Sequence, residues 1–522
     1  MALSDTEFGL KASNIIKEWG GQIHPALMVS FIFLCCLEAC FWVRNLTLKK
    51  RLPGPFAWPL VGNAMQLGQM PHFTFSKLAK KYGNVYQIRL GSSDVVVLNG
   101  DAAIRTALIQ HSVEFAGRPN FASFQSVSGG NSMTFNSYSK QWKMHRKIAQ
   151  STIRAFSLAN SQTKNSFEKH IVAEALDLIQ NFQSSKGQSF NPSHELRVAA
   201  ANIICALCFG RRYGRDDQEF RNLLGRVDKF GETVGAGSLV DIMPWLQSFP
   251  NPVRSIFQTF KDLNNDFFTF VKGKVAEHRQ TYDPEVTRDM SDAIIGVMDH
   301  ADSETGLTEA HTEGTVADLI GAGLDTVSTA LHWMILLLVK YPSIQTKLQE
   351  QIDKVVGHDR LPSLEDKSNL TYLNAFIYET MRYTSFVPVT IPHSTTSDVT
   401  IEGLHIPKDT VVFINQWSVN HDPQKWQDPH IFNPSRFLDK NGALDKDLTN
   451  SVMIFSIGKR RCIGDQIAKA EVFLITAMLL HQMSFENEPA QDLTLNCSYG
   501  LTLKPLDYKI SAKPRGNLIN GP

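Results

Sequence analysis

The stretch "FSIGKRRCIGD", Phe455 to Asp465, places Cys462 directly after Lys459, Arg460 and Arg461 and between Gly458 and Gly464. A cationic setting favours thiolate over thiol, and a thiolate is either a nucleophile or a metal ligand. No second cysteine or histidine stands at zinc spacing, so a tetrahedral zinc site has no local ligand set. For haem a single protein thiolate suffices, because the porphyrin supplies four ligands. The flanks suit that use. Gly458 permits a turn that brings backbone N–H groups toward the sulfur, and Gly464 removes a Cβ where the next helix would approach a macrocycle. Phe455 offers a flat apolar wall and Arg460 a charge for a haem propionate. A lone cysteine at a strand-to-helix turn is more often a packing residue, so the rest of the chain has to decide.

The chain has 522 residues, 43% of them hydrophobic, and a formal net charge of +1. That length allows a large buried core. Near-neutral charge gives no support for nucleic-acid binding. Seven cysteines in so long a chain do not read as a disulfide framework. Cys205 and Cys208 form a CxxC inside "AANIICALCFG", apolar on both sides, which favours packing over redox or metal chemistry. This usage fits a reducing compartment.

Residues 26–43, "ALMVSFIFLCCLEACFWV", are apolar except for Ser30 and Glu38 and reach about the length of a membrane-spanning helix. Asp5, Glu7, Lys11, Lys17 and Glu18 leave a slight negative excess before the run, whereas Arg44, Lys49, Lys50 and Arg51 follow it. The positive-inside rule then puts the amino terminus outside and the body in the cytosol. No small-residue cleavage site follows the run, so an uncleaved anchor is expected rather than a signal peptide. Residues 1–51 are read as membrane anchor and flank, and residues 52–62, with Pro53, Pro55 and Pro59, as a stiff hinge. Residues 63–513 form one catalytic body and 514–522 a tail.

Within the body, "GNVYQIRLGSSDVVVLNG" alternates between turn glycines and predicts a hairpin. Residues 140–385 carry mostly helical spacing, and "DVTIEGLHIPKDTVVFINQ" returns to short strands. "AKAEVFLITAMLLHQMSF" predicts a final helix. The fold class is therefore mainly α with small β-sheets. A long central helix is expected from Glu309 to Tyr341, stopped by Pro342. Asp318 and Asp325 interrupt it too often for a membrane span. Gly321 and Gly323 beside Asp325 and Thr326 predict a local opening of that helix, since glycine in a helix interior costs about 1 kcal/mol against alanine.

Phe455-x-x-Gly458-x-Arg460-x-Cys462-x-Gly464 resembles the haem-binding signature of the cytochrome P-450 superfamily. Other landmarks of that superfamily occur in order: "WKMHR" with Trp142 and Arg146, "AGLDT" from Ala322 to Thr326, "ETMR" with Glu379 and Arg382, and "NPSRF" with Arg436. One departure is Ser435, where many relatives carry glutamate. "GRPNFASFQSVSGGNSMTF", "GAGSLVDIMPWLQSFPNPVR" and "SFVPVTIPHSTT" resemble family one, the aryl-hydrocarbon-metabolising branch, especially its subfamilies B and C.

The resemblance implies heme b (iron protoporphyrin IX) with Cys462 as axial thiolate. It implies Trp142, Arg146, His393 and Arg460 on the propionates, and a structural ion-pair triad of Glu379, Arg382 and Arg436. Asp325 and Thr326 would serve oxygen activation, Asp325 relaying protons and Thr326 hydrogen-bonding the reacting oxygen. Phe124, Phe135, Phe230, Asp318, Ala322, Val387, Leu501 and Thr502 would wall a flat pocket for planar aromatics, other xenobiotics and steroids. No flavin or nicotinamide motif is present, so electrons from NADPH would arrive through a separate flavoprotein reductase, received by Lys143, Lys147, Lys459 and Arg461. The expected location is the endoplasmic reticulum membrane. The alternatives are a haem-thiolate isomerase or dehydratase acting on peroxides without a reductase, and a non-catalytic haem carrier or gas sensor.

Overall fold

The computed structural model describes residues 52–155, 161–237, 239–300, 306–489 and 491–516, with Met28, Val29, Ile32, Phe33 and Cys36 of the amino-terminal run. The expected anchor as a whole, and the tail beyond residue 516, lie outside the described residues.

The helices that frame the site are α1 (Lys140–Arg154), α2 (Ser193–Phe209), α3 (Pro252–Gln280), α4 (Glu309–Lys340), α5 (Thr371–Thr384) and α6 (Asp465–Gln482). Strands are few and short. β1 (Val85–Leu90) and β2 (Ser93–Leu98) make the expected hairpin. β3 (His393–Ser394), β4 (Val399–Ile401), β5 (Leu404–Ile406) and β6 (Val411–Ile414) follow. β7 (Met483–Asn487), β8 (Cys497–Tyr499), β9 (Leu503–Pro505) and β10 (Ile510–Pro514) close the chain.

The largest sheet has the order β1-β2-β6-β3, so strands from both ends of the body share one ladder. β2 pairs parallel with β6, and its Val95, Val96, Val97 and Leu98 are all buried. A run that is apolar on both faces suits an interior strand. The proline-rich segment docks on this sheet: Pro53 O accepts from Gln87 N at 2.8 Å, and a Cβ on Gly54 would lie 1.9 Å from Gln87 O.

α4 is the axis of the helical mass. Its 32 residues extend about 48 Å at 1.5 Å per residue, from a capping box at Thr308 to Pro342. It is apolar enough to cross a bilayer, yet most of it is buried in protein, as expected of a core helix. α2 packs along it and is buried almost throughout from Leu196 to Phe209. Burial pushes the Cys205 thiol up to about 12 and holds the Cys208 thiol well above its ordinary value, so this CxxC is packing.

Two expectations change. α4 does not open at Gly321–Gly323; it stays helical, and its glycines serve close packing instead. A Cβ on Gly323 would come 3.0 Å from Ile204 of α2, and one on Gly314 would lie 2.4 Å from Asn131 O. The final helix also stops at Gln482, because Met483 and Phe485 alternate with Ser484 and Glu486 as strand β7.

The triad of acid and arginines knots the body below α4. Arg382 and Glu379 on α5 are fully buried and meet at 2.7 Å, and Arg436 Nε reaches the same carboxylate at 3.1 Å. Arg382 also donates to Asn420 O and Pro429 O, and Asn433 N donates to Glu379 Oε1 at 2.8 Å. A buried pair is tolerable only when its remaining donors and acceptors are filled in this way.

Candidate active site

The loop from Phe455 to Gly464 is closed by a bond from Cys462 N to Phe455 O at 2.8 Å. Gly458 sits at a φ of +74°, and a Cβ there would fall 2.0 Å from Leu108 O, so both conformation and contact demand glycine. Gly464 is different. Its φ of −90° is open to any residue, and a Cβ would stand 4.0 Å from Cys462 Sγ, ordinary contact distance. Its backbone N–H, which favours the thiolate, is the visible contribution. Phe455 is half-buried with Lys469 Nζ 5.1 Å from its ring centroid.

Cys462 is accessible, yet burial is the largest influence on its thiol and pushes its pKa up. Both statements hold if the thiol opens on an internal cleft rather than bulk water. The Gly464 amide, Arg146 and Arg461 oppose the rise, while Asp465 adds to it. This corrects the first reading of the loop: its cations alone do not make a thiolate. Arg461 pairs with Asp465 at 2.5 Å, and Arg460 turns away to Ala116 O, Met133 O and Asn136 O.

Where Arg460 turns, other cations gather. Its guanidinium lies 3.9 Å from the Trp142 ring centroid, and that of Arg146, donating to Arg461 O, lies 5.5 Å from the same ring. Trp142 Nε1 donates to Met133 O at 2.8 Å. Arg118, which the sequence reading passed over inside "GRPNF", donates to Thr134 O, Ile391 O and Pro392 O at 2.9–3.0 Å. Among the described residues no carboxylate pairs with Arg118, Arg146 or Arg460. Burial and mutual repulsion push Arg460 down to about 7 and Arg118 to about 9. Crowded like charges with no protein counter-charge are costly, and a dianion would relieve them. The two propionates of a haem would meet that demand.

His393 is buried, held neutral by burial and by the Arg118 charge, and its Nδ1 contacts Phe115 O at 2.7 Å. With Nδ1–H donating there, Nε2 is an acceptor. Donation from Nε2 to a propionate requires a second proton on the ring, which a nearby carboxylate would favour.

α4 supplies the other wall. Gly321 and Ala322 are exposed in the middle of an otherwise buried helix, so an internal space runs beside them. Thr326 Oγ1 donates to Ala322 O at 2.8 Å. Asp325 bonds Lys504 Nζ at 2.5 Å and Thr502 Oγ1 at 2.9 Å. Thr502 is thus buried and engaged with Asp325 and Thr329 rather than open as a wall residue, while Leu501 beside it is half exposed. Asp318 also departs from its expected place. It is buried, and its carboxylate is taken up by Ser132 Oγ and Thr134 N at 2.7 and 2.9 Å. Burial raises it to about 6 against those bonds.

The aromatic wall residues fall into neighbouring clusters. Phe124 and Phe135 meet at 4.8 Å between ring centroids, and Phe230 packs on Phe260 at 5.4 Å. Val387 is half-buried against the main core. Arg118 and Lys504 are the residues the sequence reading lacked; Arg118 stood in a quoted motif, and Lys504 had no local signal.

A family model described as Cytochrome P450 matches residues 52–512. The chain belongs to the cytochrome P450 family. Cytochrome P450 1B1 of Homo sapiens is 49% identical over 484 residues, covering 91% of this chain and 89% of that protein. The Mus musculus protein of the same name is 48% identical over 507 residues, covering 95% and 93%. Cytochrome P450 1A1 of Oryctolagus cuniculus is 43% identical over 494 residues, covering 92% and 94%. This cytochrome P450 is therefore a family 1 member, an oxidoreductase of the monooxygenase type acting on xenobiotics, with heme b on an axial cysteine thiolate.

Proposed function

We propose that Cys462 is the axial thiolate of this cytochrome P450, and that Arg118, Arg146, Arg460, Trp142 and His393 hold the haem propionates. One observation carries the reading: an accessible thiol in a desolvated cleft feels the charge of Arg146, and Arg146, Arg118 and Arg460 gather with no carboxylate partner among the described residues. When bound, the haem supplies the centre for activating dioxygen and inserting one oxygen atom into a substrate C–H bond or ring.

The chain's own residues supply position and protons. The Gly464 N–H and the Arg146 charge favour the thiolate form of Cys462 against its burial. On α4, the Thr326 hydroxyl holds a proton that now points at Ala322 O and can turn toward the exposed face. Asp325 stands beside that face, held by Lys504, whose side chain is 43% exposed, and its carboxylate can pass on protons delivered from solvent by water. Ala322 leaves space beside the helix, and Phe124, Phe135, Phe230, Val387 and Leu501 offer the apolar walls. Offset stacking on such rings rewards a flat ligand, so planar aromatic hydrocarbons, related xenobiotics and steroids are the proposed substrates.

Electrons are proposed to come from an NADPH-dependent flavoprotein reductase docking near Lys143, Lys147, Lys459 and Arg461. Lys143 and Lys147 are exposed on α1; Arg461 is exposed but already paired with Asp465. Attachment to the endoplasmic reticulum membrane is supported by exposed Phe56, Trp58, Leu60 and Met65 in and after the proline-rich segment, just beyond the proposed anchor. The body would face the cytosol. The test is turnover of a planar polycyclic aromatic by purified protein in lipid. Product that requires NADPH, reductase and O2 supports the reading. Conversion of an organic peroxide without reductase, and no NADPH-driven product, would move the chain to the isomerase class.

A further inference from the structure

Asp318 lies one helical turn after Gly314 on α4, and both residues meet the same stretch of chain. Asn131 rests directly on Gly314, where a Cβ would lie 2.4 Å from its carbonyl oxygen. Asp318 Oδ1 accepts from Ser132 Oγ at 2.7 Å and Oδ2 from Thr134 N at 2.9 Å. Ser132 Oγ in turn accepts from Thr134 N at 3.1 Å and Phe135 N at 3.2 Å. The N–H side of this segment is thereby committed to α4.

Its carbonyl side is committed to the cations. Met133 O accepts from Trp142 Nε1 at 2.8 Å and from Arg460 Nη1 at 3.3 Å. Thr134 O accepts from Arg118 Nε at 3.0 Å, and Asn136 O from Arg460 Nη2 at 2.6 Å. A carboxylate on the N–H side and guanidiniums on the C=O side polarise these peptides in the same sense, so each strengthens the other. A carboxylate this deep is tolerated only with such bonds.

We propose that Asp318 is a positioning residue for the cofactor anchor: by fixing residues 132–134 it sets the orientation of Trp142, Arg118 and Arg460 toward the propionates, without touching the haem. The inference rests on the reading that those three side chains hold the propionates. Asp318→Asn keeps the size of the side chain but removes the charge and leaves one acceptor oxygen, so Ser132 Oγ–H and Thr134 N–H can no longer both donate to it. Asp318→Ala removes both oxygens.

The experiment is haem transfer from the holoenzyme to an excess of an apo-globin, followed by absorbance. Removing an outer partner that orients a cofactor-holding group typically costs 10–100-fold in affinity, so Asp318→Asn should release haem about tenfold faster. In a Trp142→Phe/Arg460→Lys background, itself faster than wild type, the same change should add less than about twofold, since two of the three groups it acts through are already gone and only Arg118 remains. Multiplication of the two effects would overturn the proposal. So would a wild-type release rate in Asp318→Asn, whether only the melting temperature falls or only KM for a planar substrate rises. A wild-type rate in the Trp142→Phe/Arg460→Lys protein would instead overturn the propionate reading, and this inference with it. If Asp318→Ala does not fold, Asp318→Asn carries the test.

Discussion

Lys504 Nζ lies 2.5 Å from one oxygen of Asp325, and Thr502 Oγ1 donates to the other at 2.9 Å. Asp325, Thr329 and Trp333 stand one turn apart on α4 and engage consecutive residues of β9 and its approach: Thr502 meets Asp325 and Thr329, and Trp333 Nε1 donates to Leu503 O. The acid proposed to move protons is therefore also a pin for the β8–β9 hairpin that carries Leu501. Two substitutions separate these roles. Lys504→Met should let the hairpin shift and change the ratio of products from one substrate, while product per NADPH falls by less than about threefold, because the carboxylate remains. Asp325→Asn should change the product ratio and also lower product per NADPH by about tenfold or more. Equal loss of coupling in both would assign the carboxylate to structure alone.

Thr326→Ala removes the hydroxyl bonded to Ala322 O. Haem content and NADPH consumption with reductase should stay near wild type. Loss of a positioned proton donor costs about 10²–10⁴-fold where water cannot replace it. Product per NADPH should fall and hydrogen peroxide rise to match. A threonine that merely packs predicts a lower melting temperature with unchanged coupling, so peroxide and product measured together decide.

Glu379→Gln should be among the most destabilising conservative changes in the chain. It leaves the fully buried Arg382 charge without its counter-ion and weakens the tie to Arg436. Breaking a buried pair from one side costs about 3–5 kcal/mol. The expected readout is a large drop in melting temperature with little soluble holoenzyme; a near-normal melting curve would contradict it.

Glu471 on α6 is buried, has no hydrogen-bond or ion-pair partner among the described residues, and is pushed up to about 8 by burial. Between its ordinary value of 4.5 and that raised value, the unfolded chain is ionised there while the folded chain holds the proton. Wild-type stability should therefore fall as pH rises through this window and level off above it. Glu471→Gln should raise the melting temperature little at about pH 5 and clearly more at about pH 8. A gain independent of pH would show that the carboxyl does not titrate as described.

Much of this molecule was legible because its chemistry is local in sequence. The thiol loop, the i,i+3 pair Glu379–Arg382, the β1–β2 hairpin and the central helix each announce themselves within a short window. Contacts between distant segments were legible only where the resemblance implied them, as for Arg436 with Glu379 and Trp142 with Arg460. Arg118 and Lys504 join the site across 342 and 179 positions of chain from Arg460 and Asp325, and nothing beside them in sequence marks the meeting. Asp318 looked like a wall residue because it shares a helix with Ala322, but its rotation on α4 points it at Ser132 instead. Gly323 suggested a helix break because sequence shows the glycine and not Ile204 pressing on it. The Cys462 loop misled on charge for a related reason: net cations were visible, but not the burial that outweighs them or the Asp465 that neutralises Arg461.

The most direct measurement is the difference spectrum of the reduced protein with carbon monoxide, for wild type and Cys462→Ala expressed side by side. If Cys462 is the thiolate ligand, the wild type gives the long-wavelength band characteristic of thiolate-ligated haem, and Cys462→Ala lacks it while keeping the helical circular dichroism of a folded chain. A normal long-wavelength band in Cys462→Ala would contradict the assignment on which the site is built.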